Sequence, residues 1–435
     1  MATALIKPAT KIRIDCRIPG DKSITHRAVI FSAMSESIVS LFNIATGADV
    51  QSTIDCMRRL GVKVDQNGSE LHITGCGMHG FVAPSAPLYC GNSGTTARLL
   101  AGILSGQSFK SELSGDASLS RRPMRRIIEP LTQMGAKIKT SAHQTLPIEI
   151  EGTELKAIDY SLPIASAQVK SCILLAGHYA KGITTVRESV MTRDHTERLL
   201  PTIKKSVEDG RISLSVTGGE SFRFDHMTIP GDLSSAAFLI ATGLLLPESE
   251  VTIRHVSLNP TRIAFLEILK KMGADITIHN ITEAREPYGD IVTRHTRELK
   301  SVQLSGSVVA ALIDEIPILA VLGTHLKDGL EVRDARELRN KECDRIEAIV
   351  KNMRSMGIRI DEFDDGFRIY PGSFRSSEID SFDDHRIAMA FTVAALIAEG
   401  GESIVHSAES VRISFPEFYN ILNISLSSDR LAVHQ

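Results

Sequence analysis

Four times in this chain a helix-patterned stretch runs into glycine and then into a short alternating strand: MRRLGVKVDQ (57–66), LTQMGAKIKT (131–140), LKKMGADITI (269–278) and VKNMRSMGIRID (350–361). A fainter copy is IKKSVEDGRISLSV (203–216). Glycine fits the left-handed position that closes a helix, and the Val/Ile alternation fits a strand with one buried face. The turn glycines fall at 61, 135, 210, 273 and 357, with gaps of 74, 75, 63 and 84 residues. Such a period is too long for a solenoid repeat and suits a module of several strands and two helices. A sixth helix is expected at SFPEFYNIL (414–422), with no convincing Gly-strand after it. Five or six modules in 435 residues exceed a single core. They divide most simply into two lobes of three, joined near PGDLSSAA (230–237).

The chain is 43% hydrophobic and 23% charged, with formal net charge −3 and no basic tail. That balance argues against generic nucleic-acid binding, which needs many cations on one face. The six cysteines are scattered without a C-x-x-C pair, so neither a disulfide framework nor a zinc or other metal site is expected. The stretch MATALIKPATKIRI lacks a signal peptide's apolar core, and AAFLIATGLLLP (236–247) is too short to span a bilayer. The expected setting is the cytoplasm, with no membrane partner.

A second feature points to ligands. Six expected helix starts carry anion-binding chemistry: PGDKSITHRA (19–28), GNSGTTARLL (91–100), SRRPMRRI (120–127), SAQVKS (166–171), NKECDRIEAI (340–349) and DDHRIAMA (383–390). A helix N-terminus exposes unpaired N–H groups and the positive end of the macrodipole, where phosphates and carboxylates settle. Lysines and arginines beside several such ends imply strongly anionic metabolites.

Each motif has a blander reading. Lys22, Ser23 and Arg27 could surround one phosphate or merely begin a capped helix; the Walker A spacing is absent. Gly94 allows close approach of a ligand to the backbone, although such turns often only cap a helix. Pro123 is the expected first residue of its helix, which holds Arg122 extended at a positive end. Arg121, Arg125 and Arg126 beside it should repel one another without an anion. Asp314 and Glu315 interrupt the apolar run SVVAALIDEIPILAVLG (307–323). A carboxylate there is costly unless paired or used, and burial would raise its pKa toward that of a general base. The alternative is a carboxylate salt-bridged to a neighbouring lobe. Lys341 and Arg345 stand four apart beside Glu342, and DDHR offers acidic caps followed by His385 and Arg386. His195, in RDHTER, is by default a cap or salt-bridge residue. GCGMHG (75–80) mimics a dinucleotide fingerprint, but the prolines that follow exclude the long helix such a site needs.

Together, PGDKSITHRA, GNSGTTARLL, RRPM, SAQVKSCILLAG, RDHTERLL, DEIPILAV, KECDRI and DDHRIAMA resemble the 5-enolpyruvylshikimate-3-phosphate synthase family from about residue 10 to about residue 420. The resemblance implies the two-lobed enolpyruvyl transferase fold, an α/β inside-out barrel. Each lobe would hold three βαβαββ-like modules whose parallel helices point their N-termini at the interlobe cleft. The lobes would be 21–232, and 1–20 with 233–435. The implied reaction moves the enolpyruvyl group of phosphoenolpyruvate to the 5-hydroxyl of shikimate 3-phosphate, with release of phosphate and no cofactor. It is a step toward chorismate and the aromatic amino acids. Small-molecule substrates are then the expected partners, and a monomer is the default.

Carried over by motif, Lys22, Ser23, Arg27, Ser166, Gln168, Arg193, Asp314 and Lys341 would contact shikimate 3-phosphate. Lys22, Gly94, Arg122, Gln168, Arg345 and Arg386 would hold phosphoenolpyruvate. Asp314 would take the 5-hydroxyl proton, Glu342 would protonate the methylene carbon, and His385 would support the departing phosphate. Three departures from the family pattern stand out. Ala167 occupies the place of a second serine. Ile413 and Ser414 stand where some members carry a lysine, with Arg412 as a candidate substitute. Gly94 leaves room for a bulkier phosphoenolpyruvate mimic, which leaves glyphosate sensitivity open. The first two, with RDHTER, lie closer to the class II branch. Two rival readings are a UDP-N-acetylglucosamine enolpyruvyltransferase and a non-catalytic sugar-phosphate-binding homologue. The former family has asparagine after the first lysine and usually a loop cysteine; here Ser23 follows Lys22, and 110–126 contains no cysteine.

Overall fold

The computed structural model describes residues 2–208, 210–426 and 430–434. The chain divides into two compact units, residues 20–229 and residues 1–19 with 230–435. Each unit has its own apolar core.

The unit 20–229 contains α1 (Lys22–Met34), α2 (Ala48–Arg59), α3 (Gly94–Ser105), α4 (Arg125–Gln133), α5 (Ala167–Gly177) and α6 (His195–Leu199). The other contains α7 (Leu233–Leu245), α8 (Ala264–Met272), α9 (Ser307–Ala311), α10 (Ile316–Gly323), α11 (Arg345–Ser355), α12 (His385–Leu396) and α13 (Phe418–Ser425). Among the described residues each unit carries three four-stranded sheets, and all six share one pairing pattern. Two neighbouring strands are parallel, and the remaining pairings are antiparallel. A parallel pair needs a crossover connection, and a buried helix supplies it. Thus Leu88–Tyr89 runs through α3 to Lys110–Ser114, and Glu378–Asp380 through α12 to Ser403–His406. Among the described residues three sheets are completed from far along the chain, one of them by Thr3–Ile6, which lies between Ser403–His406 and Leu431–His434. Met227–Thr228 joins Ile38–Phe42, and Arg13–Arg17 joins Glu250–Ser257.

The crossover helices form the cores. Every residue of α7, α10 and α12 is buried, as a helix with apolar residues all round requires. In the first unit α3 packs on α1 and α5; in the second α7, α10 and α12 pack on one another. The outer helices keep an exposed polar face and end as the repeated motif predicts. Gly61, Gly135, Gly273 and Gly357 have φ of 87°, 98°, 78° and 82° and lead into strands. A side chain at those angles is strained.

Three expectations differ. The copy at 203–216 is a hairpin, Lys204–Glu208 paired with Arg211–Thr217: K-K-S-V-E is exposed throughout and has no apolar stripe with which to seat a helix; residue 209 lies outside the described residues. The helix after the arginine run begins at Arg125, not Pro123: Met124 N–H donates to the Gln144 carbonyl at 2.8 Å and then caps α4. The third is at Lys341, which is extended, outside any helix; α11 starts at Arg345 with Asp344 as its cap, so no Lys341–Arg345 helical face exists. The final helix is present as α13, and a strand, Leu431–His434, does follow it.

Candidate active site

In the unit 20–229, polar side chains tie together the starts of three helices. Asp21, Ser93 and Ser166 cap α1, α3 and α5 by accepting from Ile24 N–H (2.9 Å), Thr96 N–H (3.1 Å) and Val169 N–H (3.4 Å). Lys22, at the head of α1, pairs with Asp49 of α2 at 3.0 Å and stays 19% exposed. Beneath it runs a buried chain of hydrogen bonds. His26 Nδ1 meets Thr53 Oγ1 at 2.7 Å, Thr53 meets Thr96 at 2.6 Å, and the Thr96 hydroxyl donates to Ser93 at 2.7 Å. From α5, Gln168 donates to Thr95 Oγ1 at 3.0 Å and accepts from Arg98 Nη1 at 2.7 Å. A Cβ on Gly94 would lie 2.5 Å from Arg98 Nη1 and 3.7 Å from Arg122 Nη1. Arg122 is extended, as expected, and donates to Asn92 Oδ1 at 2.9 Å; Asn92 in turn is held by Asp116 at 2.7 Å. Lys22, Gly94, Arg122, Ser166 and Gln168 thus share one polar, cation-rich assembly.

Arg27 and its neighbours face a different task. Arg27 is 3% exposed and donates to Thr196 Oγ1 (2.7 Å), Ser171 Oγ (2.9 Å) and the Ser23 carbonyl (3.0 Å). It binds α1 to α5 and α6. Arg193 lies half-buried before α6, whose Asp194 and Arg198 pair at 2.7 Å. Lys170, fully buried, is neutralised by Glu188 at 3.0 Å and Glu197 at 2.8 Å. The arginine run is partly compensated without a ligand, since Arg125 pairs with Glu129 at 2.6 Å.

Burial, with Lys22 and Arg27 nearby, holds the His26 imidazole well below its usual pKa. The unfolded chain therefore takes up a proton below about pH 6.5 that the folded chain refuses. His26's contribution to stability is complete above that pH and is lost as pH falls, by up to about 1.4 kcal/mol per pH unit. Denaturant midpoints of wild type and His26→Gln, compared at pH 7.5, 6 and 5, should converge toward low pH; a constant gap would contradict this.

The second unit places carboxylates and guanidiniums in one cluster. Asp314 lies in the turn between α9 and α10, and Glu315 caps α10. Contrary to the apolar surroundings expected from its run, Asp314 is ringed by cations. Arg345 Nη1 stands 3.6 Å away, Arg386 Nε 3.7 Å and Arg262 Nη1 3.9 Å. The Asp314 carbonyl also accepts from Arg386 Nη1 at 2.9 Å. Arg345, 1% exposed, is the hub: it donates to Asp384 at 2.8 Å and to Glu342 at 2.6 Å. Burial alone would lower its pKa, but Asp384, Glu342 and Asp314 outweigh that and bind the proton more tightly. Asp384 is sealed, and it caps α12 through Arg386 N–H (2.8 Å) and Ile387 N–H (3.4 Å). Asp314 and Glu342 keep 15% and 17% of their side chains exposed, so they are the carboxylates a ligand can reach. His385 is buried at the first turn of α12, and Lys341 is half-buried beside Glu342. Burial and the adjacent Asp384 push the Cys343 thiol up, so it stays protonated.

Arg262 and Asp384 escaped the sequence reading, as did Arg98, Asn92 and Asp49. Asp384 sat in a noted motif as a cap only; nothing local marks Arg262, which meets Asp314 from 52 residues away.

Six like-paired sheets, buried crossover helices and cation-rich helix starts define the enolpyruvyl transferase fold. The enolpyruvyl transferase NikO from Streptomyces tendae superposes with a TM-score of 0.78 over 100% of this chain and 99% of that one, at only 16% identity. An EPSP synthase from Acinetobacter baumannii superposes with a TM-score of 0.87 at 40% identity, covering 100% of both chains. The family model for EPSP synthase (3-phosphoshikimate 1-carboxyvinyltransferase) matches residues 6–422. The chain belongs to that family. Relatives named 3-phosphoshikimate 1-carboxyvinyltransferase include one from Solibacter usitatus, 46% identical over 96% of this chain and 98% of its own length. Another, from Thermodesulfovibrio yellowstonii, is 46% identical over 97% of this chain and 99% of its own.

Proposed function

We propose that the two clusters divide one reaction between them, the transfer of the enolpyruvyl group from phosphoenolpyruvate to the 5-hydroxyl of shikimate 3-phosphate. The observation that carries this reading is the pair of accessible carboxylates, Asp314 and Glu342, on one buried guanidinium, Arg345. Asp314 takes the 5-hydroxyl proton as the oxygen attacks C2 of phosphoenolpyruvate, while Glu342 gives a proton to C3. The tetrahedral adduct then returns a C3 proton to the Glu342 carboxylate as its C2–O bond to phosphate breaks, which restores the C2=C3 double bond. The proton held by Asp314 leaves with the phosphate. Lys22, Ser23, Ser166, Gln168, Arg193 and Lys341 bind the acceptor, and Arg27 supports them from its buried seat by aligning α1. Lys22, Gly94, Arg122, Gln168, Arg345 and Arg386 bind the donor, and His385 supports the leaving phosphate.

The electrostatics support this division. The donor and adduct carry phosphate and carboxylate groups, which planar guanidinium forks match geometrically. A charge that grows at the reacting centre is best met by donors already fixed in place, and Arg345 and Arg386 are fixed by Asp384 and the Asp314 carbonyl. The protein acts in the cytoplasm as a monomer. No described helix is long and apolar enough to cross a membrane.

The reading is tested by phosphate release from phosphoenolpyruvate with shikimate 3-phosphate or UDP-N-acetylglucosamine as acceptor. Turnover with the sugar nucleotide alone would overturn it. Arg122→Ala should raise the KM for phosphoenolpyruvate about 10- to 100-fold, since a charge-assisted bond contributes roughly 1.5–3 kcal/mol. An unchanged KM would remove Arg122 from the donor site.

A further inference from the structure

We infer that Arg262 is a positioning residue for the proton-accepting carboxylate, which makes it a determinant of turnover although no motif marks it. The inference rests on the assignment of Asp314 as the base.

Arg262 ends a clamped loop. Asn259 Oδ1 accepts from the Thr261 backbone at 2.8 Å and from its hydroxyl at 2.7 Å, and Asn259 Nδ2 donates to buried Glu286 at 2.9 Å. The Arg262 N–H donates to the Asn259 carbonyl at 2.7 Å. Arg262 thus leaves a rigid turn with its side chain 4% exposed. Its guanidinium reaches two successive carboxylates: Nη2 stands 3.5 Å from Glu315 Oε1, and Nη1 3.9 Å from Asp314 Oδ2. Nη2 also donates to the Ser234 hydroxyl at the start of α7, and that hydroxyl donates to Glu315. One arginine therefore pins the turn carrying Asp314 to the head of α7.

The other cations around Asp314 are committed elsewhere. Arg345 has shorter contacts to Glu342 and Asp384, and Arg386 donates to the Asp314 carbonyl, not only toward its carboxylate. Arg262 faces the opposite carboxylate oxygen, Oδ2, and leaves Oδ1 to Arg345 and Arg386. A base must present one oxygen to the hydroxyl within about 0.5 Å of its working position. Holding the other oxygen and the turn beneath it does this without touching substrate.

Arg262→Met and Arg262→Lys should be compared with wild type and Asp314→Asn by steady-state kinetics across pH. The charged groups around Asp314 include Arg262, Arg345 and Arg386, with Glu315 behind Arg262 and Glu342 and Asp384 behind Arg345. Removing Arg262 withdraws one cation, so the acid limb of kcat should move up by roughly one pH unit. At the optimum kcat should fall about 10- to 100-fold, with both KM values within about threefold and Arg262→Lys restoring part of the loss. Adding Arg262→Met to Asp314→Asn should cost little more, because both act on one proton transfer. A folded Arg262→Met enzyme with wild-type kcat and an unmoved acid limb, beside an inactive Asp314→Asn, would overturn the inference alone. So would losses that multiply in the double variant. An active Asp314→Asn would instead remove the base assignment and the inference with it.

Discussion

Asp314→Asn is expected to lower kcat by about 10²- to 10⁴-fold, the usual worth of a positioned general base, while the protein folds and binds shikimate 3-phosphate nearly as well as wild type. The amide matches the carboxylate in size and can still accept a hydrogen bond, so the turn between α9 and α10 keeps its shape. What is lost is the negative charge that takes the proton. The three guanidiniums at 3.6–3.9 Å then lose their shared counter-ion, but Arg345 retains Asp384 and Glu342, and Arg262 retains Glu315. A single-turnover measurement of adduct formation, with calorimetric binding of shikimate 3-phosphate, separates these effects. Near-normal turnover would take Asp314 out of the mechanism.

Arg345→Met is expected to damage fold and activity together. Arg345 is 1% exposed, and its Nε bonds Asp384, which is itself fully buried. Removing one partner of a buried ion pair leaves the other charge uncompensated, at a cost of about 3–5 kcal/mol. Asp384 also caps α12, so the destabilisation should centre on that helix and lower the thermal midpoint by several degrees. Whatever folds should show a raised KM for phosphoenolpyruvate and a depressed kcat, because Glu342 and Asp314 lose the cation between them. Asp384→Asn in the same background should recover stability and not catalysis. A variant as stable as wild type would refute the buried-pair account.

The parts of the molecule that could be read from residues alone were local. The caps Asp21, Ser93, Ser166, Asp344 and Asp384 lie within three residues of the N–H groups they accept from. The glycine turns at 61, 135, 273 and 357 likewise depend on the angles of a single residue. Local reading failed where two local answers compete. K-K-S-V-E before Gly210 has no apolar stripe to bury as a helix, and pairing with Arg211–Thr217 decided it. Pro123 is sterically fit to open a helix, but a long-range bond from Met124 to Gln144 pulled the start on to Arg125.

Binary patterning, capping chemistry and a repeat of about seventy residues settle the alternation of elements and the capped starts of α1, α3, α5 and α12, because these depend on neighbours within a few turns of chain. Which carboxylate stays open and which is sealed, and that Arg262, Arg345 and Arg386 meet around Asp314, depend on residues up to 124 positions apart. Packing of α10 with α11 and α12, and the bond from Arg262 to Ser234 at the head of α7, bring those side chains within 4 Å. Electrostatic interaction falls with distance through space and takes no account of separation along the chain, so that ring of charge is a property of the folded molecule.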